Sequence, residues 1–221
     1  MPRLSTLLAV LLLAGTALIG VGAALHPVLT GRAGDDLRLI ASMPSWRAIH
    51  LVMLAGSGLV IVGIWVRLTE GTAPALGPLA VLCVIAIGLA INALNIAYMA
   101  GSGTHLAAMY QAGSAEAGAL FEATHPIGLM AARFGNFVVA LGALALGWVE
   151  WQDPLRPRWF AWLAWIAAAG GFVGVLFFDE ASRVALAAVA LLSGWEIATA
   201  LRALRTPAAS GRAAAHRPMS S

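Results

Sequence analysis

Long unbroken runs of apolar residues constrain this chain more than any other feature of its sequence. The first run, residues 4–25, contains no charged side chain. A water-soluble fold cannot bury such a run, but a helix of about 20 residues can place it across the ~30 Å hydrocarbon core of a bilayer. Backbone groups find no water there, so the helix, which pairs them internally, is the required conformation. The sequence therefore predicts an all-α membrane protein.

Six segments of this kind divide the chain, and we expect each of them to be a transmembrane helix. They are residues 4–25, 49–66, 78–99, 127–149, 159–178 and 183–201. We expect a six-helix bundle built from three hairpins, which makes residues 1–205 a single membrane domain. Residues 206–221 are rich in Ala, Ser, Pro and Arg, and this composition predicts a disordered basic tail.

The overall composition supports the membrane assignment. Of the 221 residues, 61% are hydrophobic and 10% are charged, whereas about 25% of a soluble domain is charged. The first run has an alternative interpretation as a signal peptide, because Arg3 precedes it. Signal-peptide cores span only about 7–15 residues, so we expect the run to be retained as a helix.

The arginines predict the orientation of the bundle. With the N-terminus inside, the inner segments contain more arginines than the outer ones, which is the bias of cytoplasmic loops. We therefore expect an N-in/C-in protein of the bacterial cytoplasmic (inner) membrane. The arginines are scattered between spans, so nucleic acid is not an expected partner; the bilayer and other membrane subunits are.

All but one of the five histidines fall at the predicted outer face of the membrane. Two methionines share a helix face with a histidine, Met53 with His50 and Met109 with His105. Imidazole binds haem iron, copper and zinc, and thioethers favour Cu(I). The pattern predicts a metal site with these candidate ligands: His26, His50, His105, His125, Met53 and Met109.

This metal site has two versions and one structural alternative. In the first version, haem b lies between His50 and His125, and Arg47 meets a haem propionate. In the second version, mixed His and Met ligands hold copper. In the alternative, the histidines are ordinary interface residues and the methionines fill space; the prolines after His26 and His125 then only mark helix ends.

Polar residues inside the third and fourth spans form a second candidate site. Asn92 and Asn95 are three residues apart on one span, and Arg133 and Asn136 are three apart on the next. A charge at the depth of Arg133 is costly in a membrane and is a functional hypothesis by default. A polar pocket for a small ligand and inter-helix hydrogen bonding explain the pattern equally well. Glu196 is expected to extend to the membrane interface.

The sequence leaves the function open. It contains no P-loop, GxSxG, HExxH or CxxC motif, so no enzyme class is indicated. We expect a non-catalytic accessory or structural membrane protein. The alternatives are a metal- or haem-binding redox protein with its site at the outer face, and a small-molecule binder or transporter that uses the asparagine and Arg133 pocket.

Overall fold

The computed structural model describes residues 4–69, 76–177 and 183–205 of the chain, the side chains of residues 183–186 excepted. These ranges are helical with short connections and contain no strand. Two short non-α segments continue α3 and α4: a 3₁₀ segment, Ile64–Thr69, and a π-helical segment, Met99–Gly103. The α-helices are α1 (Leu4–Leu25), α2 (Ala33–Ser42), α3 (Trp46–Gly63), α4 (Leu76–Tyr98), α5 (Thr104–Gln111), α6 (Ala115–Gln152), α7 (Trp159–Phe177) and α8 (Arg183–Arg205).

Within the described residues, six helices are long and apolar enough to cross a membrane. The first prediction, an all-α integral membrane protein with six candidate spans, is confirmed. The candidate spans are Leu4–Leu25, Trp46–Thr69, Leu76–Gln111, Ala115–Gln152, Trp159–Phe177 and Ala187–Arg205. The basic tail, residues 206–221, lies outside the described residues.

The spans differ most from the sequence prediction at α6, which has 38 residues and is therefore about 57 Å long at 1.5 Å per residue. It begins at Ala115, well before Pro126, and the helix runs through that proline. The expectation that Pro126 marks a helix end is wrong. Proline removes one backbone donor, but the turns before it bury Ala117 and Phe121 almost completely, and this packing holds the helix together.

Helices that follow one another along the chain pack against each other, and α8 returns to α1. The six long helices therefore form a closed ring in the order α1, α3, α4, α6, α7, α8. We call the end where α1 finishes at Leu25 and α3 starts at Trp46 the histidine end. The opposite end, where α6 finishes at Gln152, we call the arginine end.

A small helical layer covers the histidine end and is defined here as the cap. It consists of α2, the π-helical segment, α5 and the first turns of α6, which pack on one another and on the start of α3. Helices α2 and α5, with 10 and 8 residues, are too short to cross a bilayer. The cap has its own apolar core: Ala33, Leu37, Ile40, Trp46, Met99, Leu106, Ala107 and Phe121.

Glycines permit the closest helix crossings. A Cβ atom at Gly15 on α1 would lie 2.7 Å from the backbone oxygen of Gly56 and 2.7 Å from the backbone nitrogen of Val60, both on α3. A Cβ at Gly135 on α6 would lie 2.6 Å from the Asn92 nitrogen on α4. Burial from water does not drive helices together in lipid, so close backbone packing has to do so.

We predict that Gly15→Ala destabilises the bundle by about 1–3 kcal/mol, the usual cost of overpacking, because the new methyl group meets backbone atoms that cannot rotate away. Thermal unfolding in mild detergent, followed by circular dichroism, measures the loss. Gly20→Ala on the same helix is the matched control, since nothing lies within 4 Å of that position. Equal melting temperatures for the two variants would contradict this packing.

Candidate functional site

Two histidines meet at the histidine end, one from each of two neighbouring helices. His26 directly follows α1, and His50 lies in the second turn of α3. Their Nε2 atoms are 3.2 Å apart. The buried indole of Trp46 lies against both rings, with its centroid 4.9 Å from that of His26 and 4.6 Å from that of His50. The indole Nε1 donates to the Met99 carbonyl, and this bond to the cap holds the indole beside the two histidine rings.

The backbone fixes the protonation pattern of His50. Its Nδ1 lies 2.9 Å from the carbonyl oxygen of Trp46. A carbonyl only accepts, so Nδ1 carries the hydrogen and the neutral ring presents a lone pair at Nε2. Hydrogen bonds of this kind orient metal-binding imidazoles in known sites. The Nε2 atom of His26 lies opposite this lone pair, 3.2 Å away.

The surroundings of His26 disfavour its charged form. Burial lowers the pKa of His26 below its ordinary value, the nearby His50 lowers it further, and a hydrogen bond at the Pro27 backbone acts in the opposite direction. The His50 side chain is buried, and His26 is only partly covered. His26 is therefore the member of the pair that solvent reaches.

A thioether packs where α1 and α3, the two elements next to the histidine pair, meet. Met53 is three residues after His50, on the same face of α3, and packs against Gly22 of α1. A Cβ atom at Gly22 would collide with Met53 Cγ and lie 3.1 Å from its sulfur. Gly22 itself is four residues before His26. The absence of a side chain at Gly22 thus makes room for the Met53 side chain where α1 and α3 meet.

The other candidate ligands from the sequence lie elsewhere. His105 is exposed on α5, and Met109 packs against the core of the cap. His125 stacks on Phe121 at a centroid distance of 4.5 Å and on Tyr98 at 6.2 Å. Arg47 is exposed. Of the predicted histidines, the structure brings together His26 and His50; the haem ligation by His50 and His125 stays a prediction.

The side chains around His26 and His50 limit which metal ions this site can bind. Among the described residues, no group of three or more His, Cys, Asp or Glu side chains is arranged to hold a metal ion. The pair therefore offers two nitrogen donors with the Met53 sulfur nearby, and no carboxylate.

The polar residues of the second candidate site pair across α4 and α6. The Asn92 amide donates to Asn136 Oδ1 at 2.8 Å. Asn95 lies beside Gly128, and its buried Oδ1 has no hydrogen-bond partner among the described residues. Arg133 is partly buried on α6. The pairing of Asn92 with Asn136 is the contact that inter-helix hydrogen bonding predicts, and the ligand pocket stays a prediction.

A cavity of about 50 Å³ lies next to Asn136, between α6, α7 and α8. Apart from Asn136, its wall is apolar: Val139, Ala140, Ala143, Ala167, Gly171, Val175, Ala188, Val189 and Leu192. Asn92, Asn95 and Arg133 do not line it. It is therefore separate from the polar pocket that the sequence predicted.

A buried ionic network at the arginine end was missed by the sequence reasoning. Arg67 donates from Nε to Glu150 Oε1 at 2.8 Å and from Nη2 to Asp153 at 2.7 Å. Arg156 pairs with the other oxygen of Glu150, and its Nη2 donates to Thr199 Oγ1 at 2.9 Å. Glu150 is fully buried, and both arginines are nearly so. The network ties together the 3₁₀ segment, α6, the connection after it and α8.

The network escaped the sequence reasoning because its charges sit at span ends, where they were counted only as loop charges that set orientation. Arg67 and Glu150 are separated by 83 positions in the chain. The sequence did contain a signal for this ion pair. Arg67 and Glu150 have opposite charges, and each directly follows an apolar run on the same predicted side of the membrane. Glu196 is a related correction: it is only 4% exposed and bonds to Thr16 on α1, so it does not extend to the interface.

Comparison of the chain with protein-family models, with curated proteins and with solved structures gave no match. Any function assigned to this protein therefore rests on the geometry of its own residues.

We predict that Glu150→Gln destabilises the protein by about 3 kcal/mol or more, because it removes the acid that two buried arginines share. The matched control is Asp35→Asn, which breaks the exposed Arg38–Asp35 pair and should cost less than about 1 kcal/mol. Chemical unfolding in detergent micelles measures both. A Glu150→Gln protein as stable as the control would show that the network does not hold the arginine end together.

Proposed function

We propose that this protein is a metal-binding membrane protein that holds copper(I) between His26 and His50. The observation that carries the proposal is the 3.2 Å separation of the two Nε2 atoms, with the His50 ring oriented by the Trp46 carbonyl. Two imidazoles bound at 2.0–2.1 Å around a tetrahedral ion place their nitrogens about 3.3 Å apart. The two nitrogens are therefore already close to the spacing that a shared metal ion requires.

The surrounding donors favour copper(I) over other ions. Calcium and magnesium need several oxygen ligands, and structural zinc takes four protein ligands; neither set exists among the described residues near this pair. Imidazole suits copper, and thioether sulfur selects its reduced form. The Met53 sulfur, on the same face of α3 as His50 and packed beside Gly22, is the third ligand that we propose. Partial exposure of His26 gives the ion its way in.

The cap supports this function by keeping the site in place. Trp46 belongs to the cap core, stacks against both imidazoles and provides the carbonyl that orients His50. Because one residue does all three, the pair is preorganised before the ion arrives, which lowers the cost of binding. The proposal requires no catalytic step, so an accessory role beside other membrane subunits is compatible with it.

We also propose that the histidine end faces outward, in an N-in/C-in bundle of three hairpins in a bacterial cytoplasmic membrane. The arginine end carries Arg67, Arg156, Arg158 and Arg202, and cytoplasmic loops carry such an excess of basic residues. Copper would then reach the site from the outer side. Haem held by His50 and His125, or a small ligand bound near Arg133, would place function at the same end.

We predict that the protein without an affinity His-tag binds one equivalent of copper(I) in detergent, measured by competition with a chromogenic copper(I) chelator. His26→Ala and His50→Ala should each weaken binding at least about 100-fold, since loss of a mere supporting group costs 10–100-fold. Met53→Leu should weaken it less, and His105→Ala on the exposed face of the cap is the control that leaves it unchanged.

Thermal unfolding of the same variants separates a lost ligand from a lost fold. Wild-type affinity in a folded His26→Ala/His50→Ala double variant would refute the copper site. A haem absorption band in the purified protein that disappears in His50→Ala and in His125→Ala would instead support the haem alternative.

Orientation is measured by labelling single cysteines with a membrane-impermeant maleimide in intact cells, after Cys83→Ser removes the native thiol. We predict that Arg47→Cys at the histidine end is labelled from outside. Gln152→Cys at the arginine end should be labelled only after the cells are made permeable. Both positions are exposed in the structure. The reverse pattern would overturn the N-in/C-in orientation and leave the metal site untouched.

A further inference from the structure

Glu196 is a buried carboxylic acid in the middle of the contact that closes the helix ring. It lies on α8 and faces Thr16 of α1, with its Oε2 atom 2.7 Å from the threonine Oγ1. Both side chains are nearly inaccessible, at 4% and 5% exposure. Thr16 is ten positions before His26 on α1, about 15 Å along the helix, so this contact is separate from the metal site.

The Thr16 hydroxyl has a single hydrogen for two neighbouring oxygen atoms. The Thr16 oxygen also lies 2.8 Å from the carbonyl oxygen of Leu12. A hydroxyl has one hydrogen, and a carbonyl oxygen has none to give. When Thr16 donates to Leu12, the usual bond of a threonine within a helix, the contact with Glu196 is a hydrogen bond only if the carboxyl group carries a proton.

The charged groups around Glu196 also favour a protonated carboxyl group. Helix α8 packs mainly against α1, α7 and the 3₁₀ segment, and its buried Leu192 and Trp195 also lie in apolar clusters with residues of α4 and α6. Helix α4 contains no charged residue, and the fully buried acid of α6, Glu150, is paired with Arg67 and Arg156. Neither α1 nor α7 contains a charged residue. Arg67 of the 3₁₀ segment is bound to Glu150 and Asp153. Arg156, which reaches α8 at Thr199, is paired with Glu150.

The arginines in the last turn of α8 itself, at the arginine end, are Arg202 and Arg205. Arg202 donates to the Leu155 carbonyl. Across the described part of the chain, the cations that bond near α8 thus bind other groups, and the partner of the Glu196 carboxyl group is a hydroxyl. An ionised carboxylate buried without a cation is strongly disfavoured, whereas its protonated form is not.

We infer that Glu196 is protonated in the folded protein and that the Glu196–Thr16–Leu12 chain is a proton-binding site inside the membrane domain. With the proton bound, the carboxyl O–H donates to Thr16 and Thr16 donates to Leu12. When the proton leaves to a water molecule, the Thr16 hydroxyl rotates its hydrogen towards the carboxylate and loses its hydrogen bond to the Leu12 carbonyl. The site thus has two hydrogen-bond arrangements that differ by one proton.

Infrared spectroscopy of the full chain in lipid nanodiscs at pH 7 tests this proposal, because the carbonyl stretch of a protonated carboxylic acid is resolved from that of a carboxylate. We expect one such band that shifts in D₂O and is missing from Glu196→Gln. Thr16→Val should move the band to higher frequency, since the carboxyl O–H loses its acceptor; Thr16→Ser keeps the hydroxyl and should leave the band in place. Glu116→Gln, at an exposed position, is the control.

Raising the pH of the wild-type protein gives a second measurement that needs no variant to fold. The protonated band should decrease and a carboxylate band should grow in its place. A spectrum at pH 7 with no protonated band, or with one that persists in Glu196→Gln, would overturn the proposal.

Discussion

The lack of water in the hydrocarbon core is the constraint on which this structure depends. A polar side chain placed there has to find a partner within the protein. Several polar side chains find such partners on a neighbouring helix: Asn92 bonds to Asn136 across α4 and α6, Thr16 contacts Glu196 across α1 and α8, and at the arginine end Arg67 pairs with Glu150. Each of these contacts joins residues far apart in sequence and also fixes how two helices lie against each other.

The two ends of the bundle meet the same constraint with different chemistry. At the arginine end, full charges are buried together, and their mutual attraction offsets the loss of water only because each group has several partners. At the histidine end, two imidazole rings meet edge to face, with their Nε2 atoms facing each other. The first arrangement is suited to holding helices in place. The second offers ring nitrogens to a metal ion, which is why we propose the function there.

Much of the fold was predictable, because apolar length and backbone pairing alone require six helices, and α1 begins and ends where the sequence indicated. The meeting of His26 with His50 was predictable only as a shared membrane face, since nothing in the sequence states which helix faces turn towards each other. His105 and His125 share that face yet point into different surroundings. The roles of Gly22 and of the Trp46 carbonyl depend on backbone contacts between helices, for which a single sequence carries no signal.

The length of α6 has a mechanical consequence. Its first turns bury Phe121 in the cap, and its last turns carry Glu150 into the ionic network. Phe121 and Glu150 thus lie on one continuous helix, so the packing of the cap and the position of the acid that two arginines share are set by the same element. Neither end of α6 can be repacked without a matching adjustment at the other end.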